Sequence, residues 1–271
     1  MSLLTPLLSR RDLTVNLTLR ELRGKYKRSA LGWAWSLLNP LASVATFAVV
    51  FRFFLKVPVP VGDPSGLQVF ALYLVCGLLP WNFLANGIVA GTGAVVGNAN
   101  LVKKVFFPRQ ILPLASTGAW AISLAIELGV VAIILLVAGN FVLPWLPAVV
   151  LVLAVQAVFV LGIAMLMASA TVYFRDLEHL VGIGLQLWFY ATPIIYPIAL
   201  VEDGFKDRPW LMRLYDLNPM VHFVEVYRNL FYDLRAPAFN DVAVLVVAAA
   251  VSLTIGSVVF ARLEPRFAEE L

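Results

Sequence analysis

The chain has 271 residues, of which 61% are hydrophobic and 13% charged, and its mean hydropathy is +0.89. A water-soluble domain carries about 25% charged residues, so this sequence lacks the polar surface to stay dissolved, and its solvent is a bilayer. The net charge of +4 is local: residues 1–28 hold seven basic and two acidic side chains, or +5, leaving −1 for everything after them. A nucleic-acid binder spreads basic and aromatic groups over a folded surface. A basic block just ahead of the first apolar run reads instead as a cytoplasmic anchor, and no nucleic-acid partner is expected.

Residues 1–28 form a cytoplasmic N-terminal segment. Ser9 can cap a helix over 9–28. On it Val15, Leu19, Leu22 and Tyr26 make one apolar stripe, while Arg11, Thr14, Thr18, Glu21, Lys25 and Arg28 take the opposite face. Such a helix lies at the headgroup level, either as an anchor alone or as one that also offers Arg20, Arg23, Lys25, Tyr26 and Arg28 to a cytoplasmic partner. The remainder, 29–271, reads as one all-α transmembrane domain. A span needs about 20 residues, and the uncharged intervals 29–51, 64–102 and 128–174 set the count. Six spans result, at about 31–55, 68–95, 110–138, 147–173, 178–198 and 241–262.

Three connections are not spans. Residues 98–109 begin with Asn98 and Asn100, either of which can cap a helix of about two turns that Pro108 would end. Leu101, Val102, Val105, Phe106 and Phe107, edged by Lys103, Lys104 and Arg109, are too apolar for a loop facing only water. They suit a knob seated in a partner's cleft. A second loop on the same side carries Arg175 and Asp176. Residues 207–235 are apolar yet interrupted by charges, and Asn218-Pro219 divides them into two short helices. His222, Glu225 and Arg228 share one face of the second. Two re-entrant half-helices on the outer side fit this pattern, since irregular backbone at membrane depth survives only around protein or a water-filled cavity. With the N-terminus inside, 13 of the 20 Lys and Arg residues fall on cytoplasmic segments, so both termini are expected there.

Catalytic chemistry is thin. Glu127 is the one acid well inside a span, and an intramembrane carboxylate is suspect by default. It is expected to pair within the bundle or face an aqueous cavity. Cys76 is the sole cysteine, and His179 and His222 belong to different sides, so no metal site is expected. Gly24-Lys25 lacks the upstream glycine of a phosphate loop, position 19 being Leu. Any ATP must therefore be hydrolysed on another chain. Trp33, Trp35, Phe51, Tyr73, Trp81, Trp188, Tyr190 and Tyr196 crowd the first, second and fifth spans. Interfacial anchoring explains most of them, and the rest are candidates, with Glu127, to line a path for sugar rings. Gly87-x-x-x-Gly91 and Gly93-x-x-x-Gly97 allow close helix packing.

Several stretches together resemble a known family. They are Arg20-Glu-Leu-Arg-Gly-Lys-Tyr-Lys-Arg-Ser-Ala-Leu-Gly-Trp-Ala-Trp-Ser-Leu-Leu-Asn-Pro40, Asn100-Leu-Val-Lys-Lys-Val-Phe-Phe-Pro-Arg-Gln-Ile-Leu-Pro113, Phe174-Arg-Asp-Leu177 and Thr192-Pro-Ile-Ile-Tyr-Pro197. Leu217-Asn-Pro219 followed by Tyr227-Arg-Asn229 completes the set. The chain resembles the membrane subunits of ABC transporters that export O-antigen, teichoic acid and mycobacterial cell-wall galactan. That resemblance implies a homodimer in the inner membrane working with two copies of a separate ATPase, which would hold the ATP and Mg. The N-terminal helix would be an interface helix, 99–107 a coupling helix, and the outer half-helices a periplasmic gate. The cargo would be an undecaprenyl- or decaprenyl-pyrophosphate-linked polysaccharide. An exporter of a small lipid or drug, and an intramembrane glycosyl- or acyltransferase, are the rival readings.

Overall fold

The computed structural model describes residues 11–25, 32, 34–54 and 60–271. Every regular element among them is helical. The chain runs α1 (Arg11–Gly24), α2 (Ala34–Ala48, continued by a wider π turn over Val49–Phe54), α3 (Phe70–Thr92), α4 (Ala99–Lys104) and α5 (Ile111–Val137). It continues through α6 (Leu146–Tyr173), α7 (Leu177–Tyr190), α8 (Ile198–Gly204), α9 (Pro209–Asp216), α10 (Pro219–Arg228), α11 (Phe239–Leu263) and α12 (Phe267–Glu270).

Among the described residues four helices are long and apolar enough to cross a bilayer: Phe70–Thr92, Ile111–Val137, Leu143–Tyr173 and Phe239–Glu270. They differ in how far they turn inward. In α3, 72% of the most apolar window is buried inside the bundle, against 22% for α11. So α3 is the central helix, packed by α2, α5, α6 and α10, whereas α11 lies along α6 with its other side open. Between Val242 and Val258 the outward residues of α11 are apolar apart from Thr254, among them Val246, Val247, Val251 and Ile255. A bilayer accepts such a surface and water does not.

Small residues set the closest approaches. A Cβ added at Gly91 would lie 2.4 Å from Ala164 Cβ, and one at Gly87 2.8 Å from Val160, so this pair seats α3 on α6. Gly97 faces open space. The tightest crossing is between α6 and α11, where a Cβ at Gly256 would lie 2.0 Å from the Gly162 carbonyl oxygen. Polar groups tie the same helices: Ser252 donates to the Phe159 carbonyl (2.8 Å), and fully buried Gln156 donates to the Pro80 carbonyl (2.9 Å) while accepting from Tyr227 (3.1 Å).

Helix ends depart from the expected bounds at two places. The fifth apolar helix, expected over 178–198, stops at Tyr190, and Ala191–Pro197 is irregular. Pro193 and Pro197 bias the residues before them away from helix. The short helix expected over 99–107 ends at Lys104, and Val105 is extended (φ −128°, ψ 133°).

Candidate functional site

Two ends of the bundle carry polar chemistry. The first is the knob formed by α4 and Val105–Pro108. Asn98 does not cap α4 with its side chain. Its amide nitrogen donates to the Ala94 carbonyl (2.8 Å), and its Oδ1 accepts from the Arg20 guanidinium (2.7 Å), which also donates to Glu21 (2.8 Å). Helix α1 is thereby tied to the base of the knob. Val102 is buried, Leu101 half-buried, and Lys103, Lys104 and Val105 are exposed.

Extended backbone sends successive side chains to opposite sides, and this separates the two phenylalanines. Phe106 is 95% exposed, while Phe107 is 5% exposed and lies in a cluster with Phe260 and Phe267. Phe260 and Phe267 meet edge to face at 5.2 Å. Arg109 completes the bracket. Its backbone N–H donates to the Glu264 carboxylate (2.8 Å) and its guanidinium to the Glu264 carbonyl. A cavity of about 560 Å³ opens between knob and C-terminal turn, lined by Phe106, Pro108, Arg109, Ala261, Glu264 and Pro265. A phenyl ring left in water forgoes about 2 kcal/mol of burial. Its neighbour Phe107 is firmly seated, so the ring is held outward.

Helix α1 packs on α5 with the face expected to be polar. Thr18 lies over Gly118, and the Lys25 ammonium donates to Ser123 (3.1 Å) and the Ala119 carbonyl (3.3 Å), 3.2 Å from the Trp120 ring centroid. Glu127, one turn beyond Ser123, is buried, and the Lys25 charge acts on it. Val15 and Leu19 of the expected apolar stripe point outward, and only Leu22 of its described members is buried. In a membrane, packing and polar contacts rather than water exclusion hold helices together. Thr18 and Lys25 turn inward together with the buried Leu17 and Leu22, while Val15 and Leu19 lie outward beside Asn16, Arg20 and Arg23.

The opposite end is built on α10. Asn218 caps it, accepting from the Met220 N–H (3.0 Å) and the Trp188 indole (2.7 Å) and donating to the Ala191 carbonyl and Thr192 hydroxyl (both 3.1 Å). Pro219 supplies the first helical residue. His222 Nδ1 lies 2.7 Å from the Asp241 carboxylate at the start of α11, and Nε2 lies 2.8 Å from the Asp216 carbonyl at the end of α9. With Asp241 ionised both oxygens are acceptors, an arrangement that suits a ring donating from both nitrogens, the imidazolium. The bond to Asp241 holds its pKa above the usual histidine value. Arg228 is buried on the Tyr73 ring (3.8 Å) and donates to the Ile194 carbonyl (2.8 Å), while its Nε and Nη1 make no hydrogen bond among the described residues. Glu225 reaches Arg235 (3.7 Å).

The remaining sequence candidates scatter. Arg23, Arg175 and Asp176 are exposed at the knob end. Tyr73 and Trp81 are buried within the single chain, the latter edge-on to Trp188 (6.0 Å). Trp35 and Tyr190 are exposed, and the Tyr196 hydroxyl donates to the Tyr190 carbonyl (2.8 Å). Tyr26, Arg28, Trp33 and the side chain of Phe51 lie outside the described residues. Reading the sequence missed Gln156, Asp241, Glu264 and the Gly162–Gly256 crossing. Only the last left a local trace, the small-residue spacing Ser252-x-x-x-Gly256.

Comparison with known proteins converges on one family. Residues 13–232 match the ABC-2 type transporter family. The chain is 30% identical over 261 residues to the O-antigen export system permease protein RfbA of Klebsiella pneumoniae, covering 96% of this chain and 95% of that one. RfbA of Myxococcus xanthus is 29% identical over 261 residues, 96% of each chain. The polysialic acid transport protein KpsM of Escherichia coli is 23% identical over 218 residues, 79% of this chain and 78% of its own. The chain belongs to the ABC-2 type transporter membrane family, and is a transport subunit rather than an enzyme.

Proposed function

We propose that this chain is the permease half of an inner-membrane exporter for a lipid-linked polysaccharide, powered through its knob by a separate ATPase. The single observation carrying the coupling role is the split between Phe106, held in solvent beside Lys103 and Lys104, and Phe107, anchored in the bundle. An apolar anchor rimmed by cations suits a cleft on a partner. The polysaccharide comes from the relatives, which are named for O-antigen, polysialic acid and capsule polysaccharide export. A prenyl-pyrophosphate carrier of the undecaprenyl or decaprenyl type, bearing an O-antigen, teichoic acid or galactan chain, fits that group.

On this reading α2 and α7 join the four long helices as six spans, and both termini with the knob lie in the cytoplasm. Helices α9 and α10 then form the outer gate, with Asn218, Pro219, His222, Glu225 and Arg228 on it. Two copies of the chain enclose the path, toward which Trp35, Tyr190 and Tyr196 are available. ATP and Mg bind the ATPase alone. Closure of the ATPase dimer pushes the knobs and the glycan moves outward; no covalent step occurs on this chain.

The test is Phe106→Ala in the complex. It should abolish substrate-stimulated ATP hydrolysis while the chain still inserts and keeps its thermal stability, because no intramolecular packing is lost. Phe107→Ala instead should destabilise the chain, by about 3 kcal/mol. Normal coupling in Phe106→Ala removes the assignment.

A further inference from the structure

We infer that α11 is a strut that carries displacement of the knob to the half-helices at the far end of the bundle. The inference rests on the reading of the knob as the ATPase contact and adds the route beyond it. Helix α11 is bound at both ends and welded in between. At the knob end, Glu264 receives two donors from Arg109, and Phe260 shares a buried cluster with Phe107. At the far end, Asp241 holds the His222 imidazolium, which also holds the last carbonyl of α9. Asp241 and Glu264 are 23 residues apart, about 35 Å of helix.

Between them, Gly256 rests on the Gly162 backbone and Ser252 is bonded to the Phe159 carbonyl. Helices α6 and α11 therefore move as one body, with no compliant loop between the attachments. A helix transmits axial and tilting displacement because each turn is hydrogen-bonded to the next. Both end links are charge-assisted, the stronger class of hydrogen bond. The other connections out of the knob run into α3 and α5, and no hydrogen bond joins either to His222 or Asp216 among the described residues. Coupling between remote sites needs an element that both ends bias; α3 and α6 also pack against α10, but among the described residues α11 is the one joined by side-chain hydrogen bonds to the knob through Glu264 and to the half-helices through Asp241. Glu264 and Asp241 are thus positioning residues for transport, neither touching nucleotide nor cargo.

The test uses the permease–ATPase complex in lipid vesicles with Arg213→Cys as reporter. Arg213 is an exposed polar position on α9, and the native Cys76 is buried. The rate of modification by a charged, impermeant maleimide is measured without nucleotide and with ATP plus orthovanadate. The otherwise unaltered complex should show at least a threefold change in rate. Glu264→Gln and Asp241→Asn should each reduce it below 1.5-fold, and their combination should lose no more than either alone, the mark of links in series. Co-purification of the ATPase checks assembly, and Glu264→Asp should recover part of the response. Should Glu264→Gln fail to fold, Asp241→Asn tests the strut from its other end. A full response in both variants, or additive losses, overturns the strut alone. No response in the unaltered complex overturns the knob reading, and the strut with it.

Discussion

The crossing of α6 and α11 yields a sharp quantitative prediction. In Gly256→Ala the new methyl carbon would sit 2.0 Å from the Gly162 oxygen, where ordinary contact begins at 3.4 Å, so the helices must part by about 1.4 Å. The Ser252 hydroxyl, one turn away, then moves from 2.8 Å to about 4 Å from the Phe159 carbonyl, outside hydrogen-bond range. Overpacking of this kind costs about 1–3 kcal/mol, and an interhelical hydrogen bond in a membrane adds about 0.6 kcal/mol. Gly256→Ala should therefore destabilise the chain by about 2–3 kcal/mol. Reversible unfolding of the purified protein in mixed micelles by added SDS, followed by the fluorescence of its seven tryptophans, measures this. Gly129→Ala and Gly184→Ala, where a Cβ meets open space, are the controls, and helix propensity makes them neutral or stabilising by up to about 1 kcal/mol. A Gly256→Ala midpoint matching those controls would refute the contact.

Other consequences are as direct. Gln156→Leu strands the buried Tyr227 hydroxyl and should cost about 1–3 kcal/mol in the same titration, with Tyr227→Phe recovering much of it. Lys25→Met removes the hydrogen bonds to Ser123 and the Ala119 carbonyl and the cation over Trp120, and should cost about 1–3 kcal/mol. Adding Glu127→Gln should restore the part owed to the Lys25 charge acting on Glu127, and equal stability of single and double variants would exclude that influence. His222 predicts a pH dependence. It is acted on by Asp241 from α11 and Asp216 from α9, and Asp241 also acts on Glu225 of its own helix. Its pKa is raised in the folded state, so the clamp is fully present below about pH 6.5 and is lost as pH rises through the raised value. The difference in thermal midpoint between the parent and His222→Gln should be constant at acid pH and close on the alkaline side. A difference that widens with pH contradicts the imidazolium.

Much of the architecture follows from local physics that a single sequence displays. A helix long and apolar enough to span is set by length and hydropathy, so the second, third, fourth and sixth apolar runs were legible to within a few residues. Asn218-Pro219 announced a helix start because Asn supplies the cap and Pro tolerates only the first turn.

What the sequence left undecided is orientation about each helix axis. Amphipathic reasoning laid α1 along the headgroups and gave its face with Thr18 and Lys25 no place in the bundle. The fold turned Thr18 and Lys25 inward instead, because in a bilayer the apolar face is already solvated by lipid and only the polar face gains from meeting its own kind. The separation of Phe106 from Phe107 likewise depends on one extended residue, Val105, which hydrophobic patterning does not register. Partners remote in sequence, Arg109 with Glu264 and His222 with Asp241, have no periodicity to expose them. They exist only once α11 has closed against α6, and that closure depends on two glycines whose missing side chains gain meaning only when the helices cross.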